Sequence, residues 1–457
     1  MNDRKKTYED DSRDITSLCG ECLKNNQIAP GDFAKFRVKR GLRNEDGTGV
    51  LAGLTRICNV HGYILDEGDK TPVEGKLIYR GIDIEEIVEN CVTEDRFGFE
   101  EVAWLLLFGT LPTSGQLQMF NHLLGRLMEL PDRFVDDIVL KVPSRDIMNP
   151  MQRSVLALYA YDPNPDDISL ENVLHQSISI IAKLPTIMVA AYQVKRRTYD
   201  RKSMYFHRSR SELSVAENIL RTLRPDKQYT DREAKVLDIC LMLHAEHGGG
   251  NNSTFATRVL TSSATDTYSA ISAGIGSLKG PRHGGANQQV TGMMNHIKAG
   301  VSNWEDETEV SSFLEKIMDK KAGNGSGLIY GMGHAVYTIS DPRAVILKRY
   351  AREMAAGTSY EREFDLMESV EKLAPQVFAK KKNITAPLCA NVDLYSGLVY
   401  KMLGIPEELF TPLFAVSRAP GWCAHRIEEI TTSGGKIIRP AYKSITPSAR
   451  YVSLSER

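Results

Sequence analysis

Five stretches of the chain collect the residue types that move protons and hold anions. "GPRHGGAN" (280–287) sets His283 between Pro281-Arg282 and Gly284-Gly285. "LHAEHGGGNNST" (243–254) carries His244 and His247 at the end of an apolar run, followed by three glycines. "GMGHAVYTISDPRA" (331–344) holds His334 and, beyond a proline, Arg343. "NVDLYSGLVYKMLG" (391–404) places Asp393 just before a helical pattern, and "SRAPGWCAHRIEE" (417–429) sets Arg418 before a Pro-Gly turn. Each residue has an ordinary reading: a histidine satisfied in the core, an aspartate capping a helix, an arginine in a surface ion pair worth about 0–1 kcal/mol. Repetition argues otherwise. Three histidines lie in glycine-rich loops, where backbone and ligand can approach closely.

Two chemistries could use this set. His244, His247 and Asp393 could bind zinc or iron for hydrolysis, but the spacing is H-A-E-H and lacks the H-E-x-x-H helix pattern. The alternative is carbon–carbon bond formation without a metal. Taking a proton from carbon next to a carbonyl needs a carboxylate base and a donor to the developing enolate oxygen. A second carbonyl needs another donor, and a dicarboxylate substrate needs arginines in bidentate pairs. One aspartate, three histidines and several arginines meet that list.

The elements that must position these residues read as mainly α. Residues 55–83 alternate apolar and polar around Gly, Asp and Pro, which predicts a small β-hairpin region. Helical spacing dominates beyond it. Residues 99–112 end on the stop signals Gly109 and Pro112. Residues 151–162, 170–185, 232–247 and 396–410 read as further helices. "SISIIAKLPTIMVAAY" (177–192) is a buried helix that Lys183 and Pro185 should kink or break. No βα alternation occurs, which disfavours a doubly wound sheet.

The whole chain narrows the function classes. It has 457 residues, 42% apolar and 25% charged, with a formal net charge of -1. That is an ordinary globular composition without the basic stripe of a nucleic-acid binder. No uninterrupted run of about 18 apolar residues predicts a membrane span. The start, "MNDRKKTYEDDSRD", lacks a signal-peptide core and is too acidic for a transit peptide, so a cytoplasmic location is expected. Seven scattered cysteines fit reduced thiols. Cys19-x-x-Cys22 has no second ligand pair nearby, and a metal or redox use is disfavoured.

Together and in this order the motifs resemble those of the citrate synthase family, from about residue 50 to the C-terminus. "GPRHGGAN" is similar to its enol-stabilising loop, "GMGHAVYTISDPRA" to its G-x-G-H…D-P-R loop, and "NVDLYSG" to its catalytic-aspartate segment. The resemblance implies a two-domain, almost all-helical fold: an N-terminal arm (1–45), a large domain (46–284 and 391–457) and a small inserted domain (285–390). It implies a homodimer or larger homo-oligomer, with the site in a cleft. Asp393 would take a proton from the methyl group of acetyl-CoA. His283 would hold the thioester enol or enolate, its neighbouring glycines leaving room for the thioester. His334 would polarise the oxaloacetate ketone and protonate its oxygen. His247, Arg343, Arg418 and Arg439 would hold the oxaloacetate oxygens, and Asn251 would position backbone or touch substrate. Acetyl-CoA is then a substrate, with no metal or other cofactor implied. The sister enzyme 2-methylcitrate synthase, which uses propionyl-CoA, shares every one of these motifs. Two departures stand out. Gly248 follows the second histidine, where many members have Glu. "YTIS" (337–340) lacks the basic residue that helps bind CoA, and Lys348 and Arg349 are the candidates to replace it.

Overall fold

A capped helix and a twisted hairpin set the frame of the site. The structure is a computed structural model, and it describes residues 14–16, 18–24, 26–66, 69–382, 387–432 and 434–457. Most of the segment read for a targeting signal lies outside these. Two compact units divide the chain, Met1–Leu54 and Thr55–Arg457. In the first, the described residues form a helix at Pro30–Lys35 and a turn at Arg40–Leu42. Its Cys19 and Cys22 are exposed and free.

The second unit opens with the expected hairpin. Strands β1 (Cys58–Asp66) and β2 (Asp69–Tyr79) pair antiparallel, with a register shift between His61 and Tyr63, and a two-residue β3 (Ile82–Asp83) pairs with β2. The rest is helical. The helices that build the site are α1 (Phe99–Phe108), α2 (Leu170–Tyr199), α3 (Asp231–His244), α4 (Asn252–Thr261), α5 (Thr267–Leu278), α6 (Ala286–Gly300), α7 (Pro342–Ala355), α8 (Glu361–Lys382), α9 (Val392–Met402) and α10 (Phe410–Thr431). As expected, α1 stops at Gly109, whose φ of 88° is one that glycine adopts at low cost. A capping box starts α3: Thr230 Oγ1 accepts from the Glu233 N–H, and the Glu233 carboxylate accepts from the Thr230 N–H.

Three expectations fail at or near prolines. The helix read over 396–410 ends at Met402, and Gly404, with a φ of 68°, and Pro406 separate it from a short turn of helix at Glu407–Leu409. Helix α2 runs unbroken for 30 residues through Pro185, so the residues on both sides of that proline form one helix. Its apolar window is long enough to cross a membrane by composition, but 72% of that window is buried inside the protein. Likewise, no turn comes after Arg418. Pro420 and Gly421 lie inside the 22-residue α10. A proline costs one hydrogen bond and some crowding, which packing on several sides can offset. Helix α10 packs against α1, α2, α3, α4, α5 and α6, and α9 packs against α6, α7 and α8. The core is continuous through both.

Candidate active site

The hairpin and the end of α3 fix the first loop. Tyr79 on β2 is fully buried, and its hydroxyl lies 3.2 Å from the Met242 oxygen and 3.0 Å from the Glu246 oxygen. The Glu246 N–H donates back to that hydroxyl at 3.2 Å. Arg418 Nε donates to the His244 oxygen at 2.7 Å. The last carbonyls of α3, which a helix leaves without partners, are thus tied down by two side chains from far along the sequence. His244 Nδ1 lies 2.7 Å from the Cys240 oxygen. That oxygen can only accept, so Nδ1 carries the proton and the buried Nε2 keeps a lone pair without a partner among the described residues. Burial holds His244 neutral, pushing its pKa down to about 3. Burial, then the Arg343 guanidinium, His334 and Arg418, also hold His247 well below the usual histidine range. Asn251 caps α4, its Oδ1 accepting from the Thr254 N–H at 3.1 Å.

The hairpin also holds the 334–343 loop. Tyr337 donates from its hydroxyl to the Lys76 oxygen at 3.2 Å, and the Gly75 N–H donates to Ser340 Oγ at 3.1 Å. His334 stacks on Tyr337, with ring centroids 4.8 Å apart, and stands perpendicular to His247 at 5.0 Å. Its Nδ1 accepts from the N–H groups of Val336 and Tyr337, each at 3.1 Å. Backbone N–H groups can only donate, so the ring proton sits on Nε2 and His334 is built as a neutral Nε2–H donor. Asp341 caps α7 and grips Arg343 with both oxygens, at 3.0 and 2.7 Å. Arg343 is 3% exposed, so the pair is buried and not a surface bridge. Burial opposes the charge on Arg343, but Asp341 overrides it and raises the arginine's pKa.

His283 obeys the same logic. Its Nε2 accepts from the Ser253 N–H at 3.2 Å and lies 2.9 Å from Ser253 Oγ. The proton therefore belongs on Nδ1. Burial, helped by the charge of Arg418, pushes the His283 pKa down to about 4, so the ring is neutral at ordinary pH. Gly284 has a different use from the one expected. A Cβ there would collide with the carbonyl oxygen of Leu278. The glycine makes room for the chain itself, in the tight turn that aims His283.

Asp393 lies in the first turn of α9 but is not its cap. Asn391 is: its side chain accepts from the Asp393 N–H at 3.0 Å. Among the described residues no hydrogen bond reaches the Asp393 carboxylate. Burial pushes its pKa up to about 6, with Arg343 and Arg418 pulling down and Asp341 pushing up. Arg418, 1% exposed on α10, has no hydrogen-bonded carboxylate among the described residues, and burial lowers its pKa. Its charge acts on His244, His247, His283 and Asp393 alike. One electrostatic neighbourhood thus joins His247, His283, His334, Arg343, Asp393 and Arg418. Asn251 is linked to it through Ser253 Oγ at 3.0 Å. Arg439 is not part of it; it is exposed in the irregular segment after α10 and has no hydrogen bond or ion pair to the described residues. Lys348 is paired with Glu368 and Glu371, and Arg349 with Glu89.

Several residues of the site escaped the sequence reading. Ser253, Tyr79, Tyr337, Glu246 and Trp422, whose Nε1–H donates to Ser253 Oγ at 3.2 Å, have ordinary types in unremarkable positions. Only Asp341 left a trace, in the Asp-Pro-Arg order of a capped helix start. A neutral donor at His283, a neutral donor at His334 and a base near pH 6 suit enolisation and attack on a carbonyl.

Comparison with known proteins agrees. The family model for the citrate synthase C-terminal domain matches residues 45–441. The chain belongs to the citrate synthase family. It is 34% identical over 410 residues to a citrate synthase of Synechocystis sp., covering 90% of this chain and 92% of the relative. It is 31% identical over 428 residues to 2-methylcitrate synthase 1 of Corynebacterium glutamicum, covering 92% and 99%. The solved ternary complex of carboxymethyl coenzyme A and oxaloacetate with the citrate synthase of Thermoplasma acidophilum matches with a TM-score of 0.73 and 25% identity, over 92% of this chain and 99% of that one. The mainly helical fold with a small hairpin is that of the family, and the chain is an acyltransferase of this class.

Proposed function

We propose that the protein is a citrate synthase, which condenses acetyl-CoA with oxaloacetate and water to give citrate and CoA. The observation that carries this reading is Asp393, a carboxylate with no hydrogen bond from the described residues, pushed up to about 6 by burial beside histidines that burial keeps neutral. An ordinary carboxylate, with a pKa of about 3.9, is a weak base for a carbon acid. In the mechanism, Asp393 takes a methyl proton, and His283 donates from Nδ1 to the thioester oxygen as the enol forms. The enol carbon attacks the oxaloacetate ketone. His334 donates from Nε2 to the oxygen on which the charge develops. His247, Arg343 and Arg418 hold the oxaloacetate oxygens, and Asn251 positions the loop behind Ser253. Water then cleaves citryl-CoA. The reading draws support from the Thermoplasma acidophilum relative, which is known as a complex with oxaloacetate and carboxymethyl coenzyme A.

The inserted block 285–390 carries His334 and Arg343, whereas His247 and Arg418 lie outside it. Oxaloacetate that bridges the two would draw them together and exclude water before acetyl-CoA is enolised. Arg439 belongs to this reading as a residue given in trans to the second subunit of a cytoplasmic homodimer. Co-refolding Asp393→Ala with Arg439→Ala should then restore activity, because one site of each mixed dimer carries neither lesion. A mixture as dead as its parts, with exchange confirmed, excludes the trans role.

The finer choice is between acetyl-CoA and propionyl-CoA. One methylene is worth about 1–3 kcal/mol. Similarity to citrate synthases of Synechocystis sp., Acidithiobacillus ferridurans and Deinococcus radiodurans favours acetyl-CoA. A CoA-release assay with oxaloacetate tests the proposal. Acetyl-CoA should give the higher kcat/KM, and a preference for propionyl-CoA would make the protein a 2-methylcitrate synthase.

A further inference from the structure

Helix α10 presents one stripe to the site: Arg418, Gly421, Trp422 and His425, spaced as the neighbours of a single helix face. Opposite the stripe lies Glu246, fully buried. Its Oε1 lies 3.1 Å from His425 Nε2. Arg258 approaches His425 Nδ1 from the other side, with Nε at 3.0 Å and Nη2 at 2.7 Å. A guanidinium can only donate, so Nδ1 is the acceptor and Nε2–H donates to Glu246. The carboxylate is held below its usual range against burial, by His425 first and then by Arg418. The second oxygen, Oε2, is buried with no partner among the described residues. It occupies the space where a Cβ at Gly421 would sit, one helical turn beyond Arg418. Arg418 itself is bonded to the His244 oxygen, two residues before Glu246. No hydrogen bond joins Arg418 to Glu246, yet Glu246 is the main influence keeping Arg418 charged against burial.

We propose that Glu246 is a charge-balancing residue behind Arg418, which limits how tightly the site holds carboxylates so that the product can leave. This rests on the reading that Arg418 binds a substrate carboxylate. The count of charges explains why it matters. Asp341 cancels Arg343, Glu246 offsets Arg418, and the site histidines His244, His247 and His283 are held neutral. The positive charge these groups offer a substrate is thus close to balanced. Oxaloacetate brings two carboxylates and citrate three. A site with surplus positive charge would favour citrate most, and turnover would stall on release. Glu246 acts through the field at Arg418 and need not touch the substrate.

The test is Glu246→Gln, which keeps an oxygen to accept from His425 and removes only the charge. Calorimetry with oxaloacetate and with citrate, at a pH where all their carboxylates are ionised, reads the effect. Oxaloacetate should bind roughly ten-fold tighter, as expected for removing one like charge from poorly solvated protein near the carboxylate. Citrate should gain more, and inhibition by citrate should grow while KM for oxaloacetate falls. A purely structural glutamate predicts weaker binding of both, and that result, or no change, overturns the proposal. If Glu246→Gln does not accumulate folded, Glu246→Asp draws the carboxylate back from Arg418. It must then shift citrate affinity in the same direction, and no shift overturns the proposal equally. Arg418→Gln separates the two layers. If it binds oxaloacetate as the parent does, the substrate reading of Arg418 falls and this inference with it. If it loses binding but Glu246→Gln gains none, only this inference falls.

Discussion

Asp341 and Asp393 are two carboxylates of one site, and the fold treats them in opposite ways. Asp341, at the start of α7, receives the Arg343 N–H, Nε and Nη2. It is 1% exposed and saturated with donors. Asp393, at the start of α9, has its own N–H capped by Asn391, while its carboxylate accepts nothing from the described residues. Both sit in the first turn or cap of a helix, where the macrodipole favours a negative charge. The difference lies in what faces them. A carboxylate wrapped in donors is fixed and serves as structure; a half-buried one without donors has its proton affinity raised into the useful range. In the proposed mechanism Asp341 therefore fixes the charge that holds a substrate carboxylate, and Asp393 is left to take the proton.

The largest test of that contrast is Asp393→Asn. It should leave the fold intact and lower kcat by roughly 10²–10⁴-fold, the usual loss for a general base. KM for oxaloacetate should change little, since the locked charges remain. Activity within a few-fold of the parent would remove Asp393 from the mechanism. Asp341→Asn should behave differently. It strands the buried Arg343 guanidinium, so the expected loss is about 3–5 kcal/mol of stability, read by denaturant melts, with weakened oxaloacetate binding in whatever folds. A variant with full stability and a loss confined to kcat would erase the distinction between the two aspartates.

The smallest effect is the pH profile. A base must be ionised to act, and burial places the Asp393 transition near 6. Protonation below that pH removes the base, so kcat should fall about ten-fold per unit on the acid side. His283 stays neutral down to about 4 and should add no second limb above that. An acid limb centred near 4 would mean that Asp393 is as solvated as an ordinary aspartate, and the comparison with Asp341 would lose its basis.

Much of the site was legible along the chain, for a local reason. His283, His334, Asp393 and the Asp-Pro-Arg step stand out because tight turns and helix starts impose their own residue types within a few positions. The hairpin at 58–79 announced itself by alternation in the same way. The prolines misled because a proline's cost is local, whereas its compensation comes from helices packed around α2 and α10.

What the sequence determined by itself was therefore the list of candidate residues, the helical class and, through the order of the motifs, the family. Only the tertiary structure decided their states. His334 is a donor from Nε2 because two backbone N–H groups occupy Nδ1, and His283 a donor from Nδ1 because Ser253, 30 residues away, occupies Nε2. Arg343 is held by a carboxylate and Arg418 by a backbone carbonyl, although both are buried. Proton position and charge state depend on which partners and how much water surround a group. Those surroundings come from segments as far apart as Tyr79 and Glu246, or Glu246 and His425, which the order of residues along the chain does not bring together.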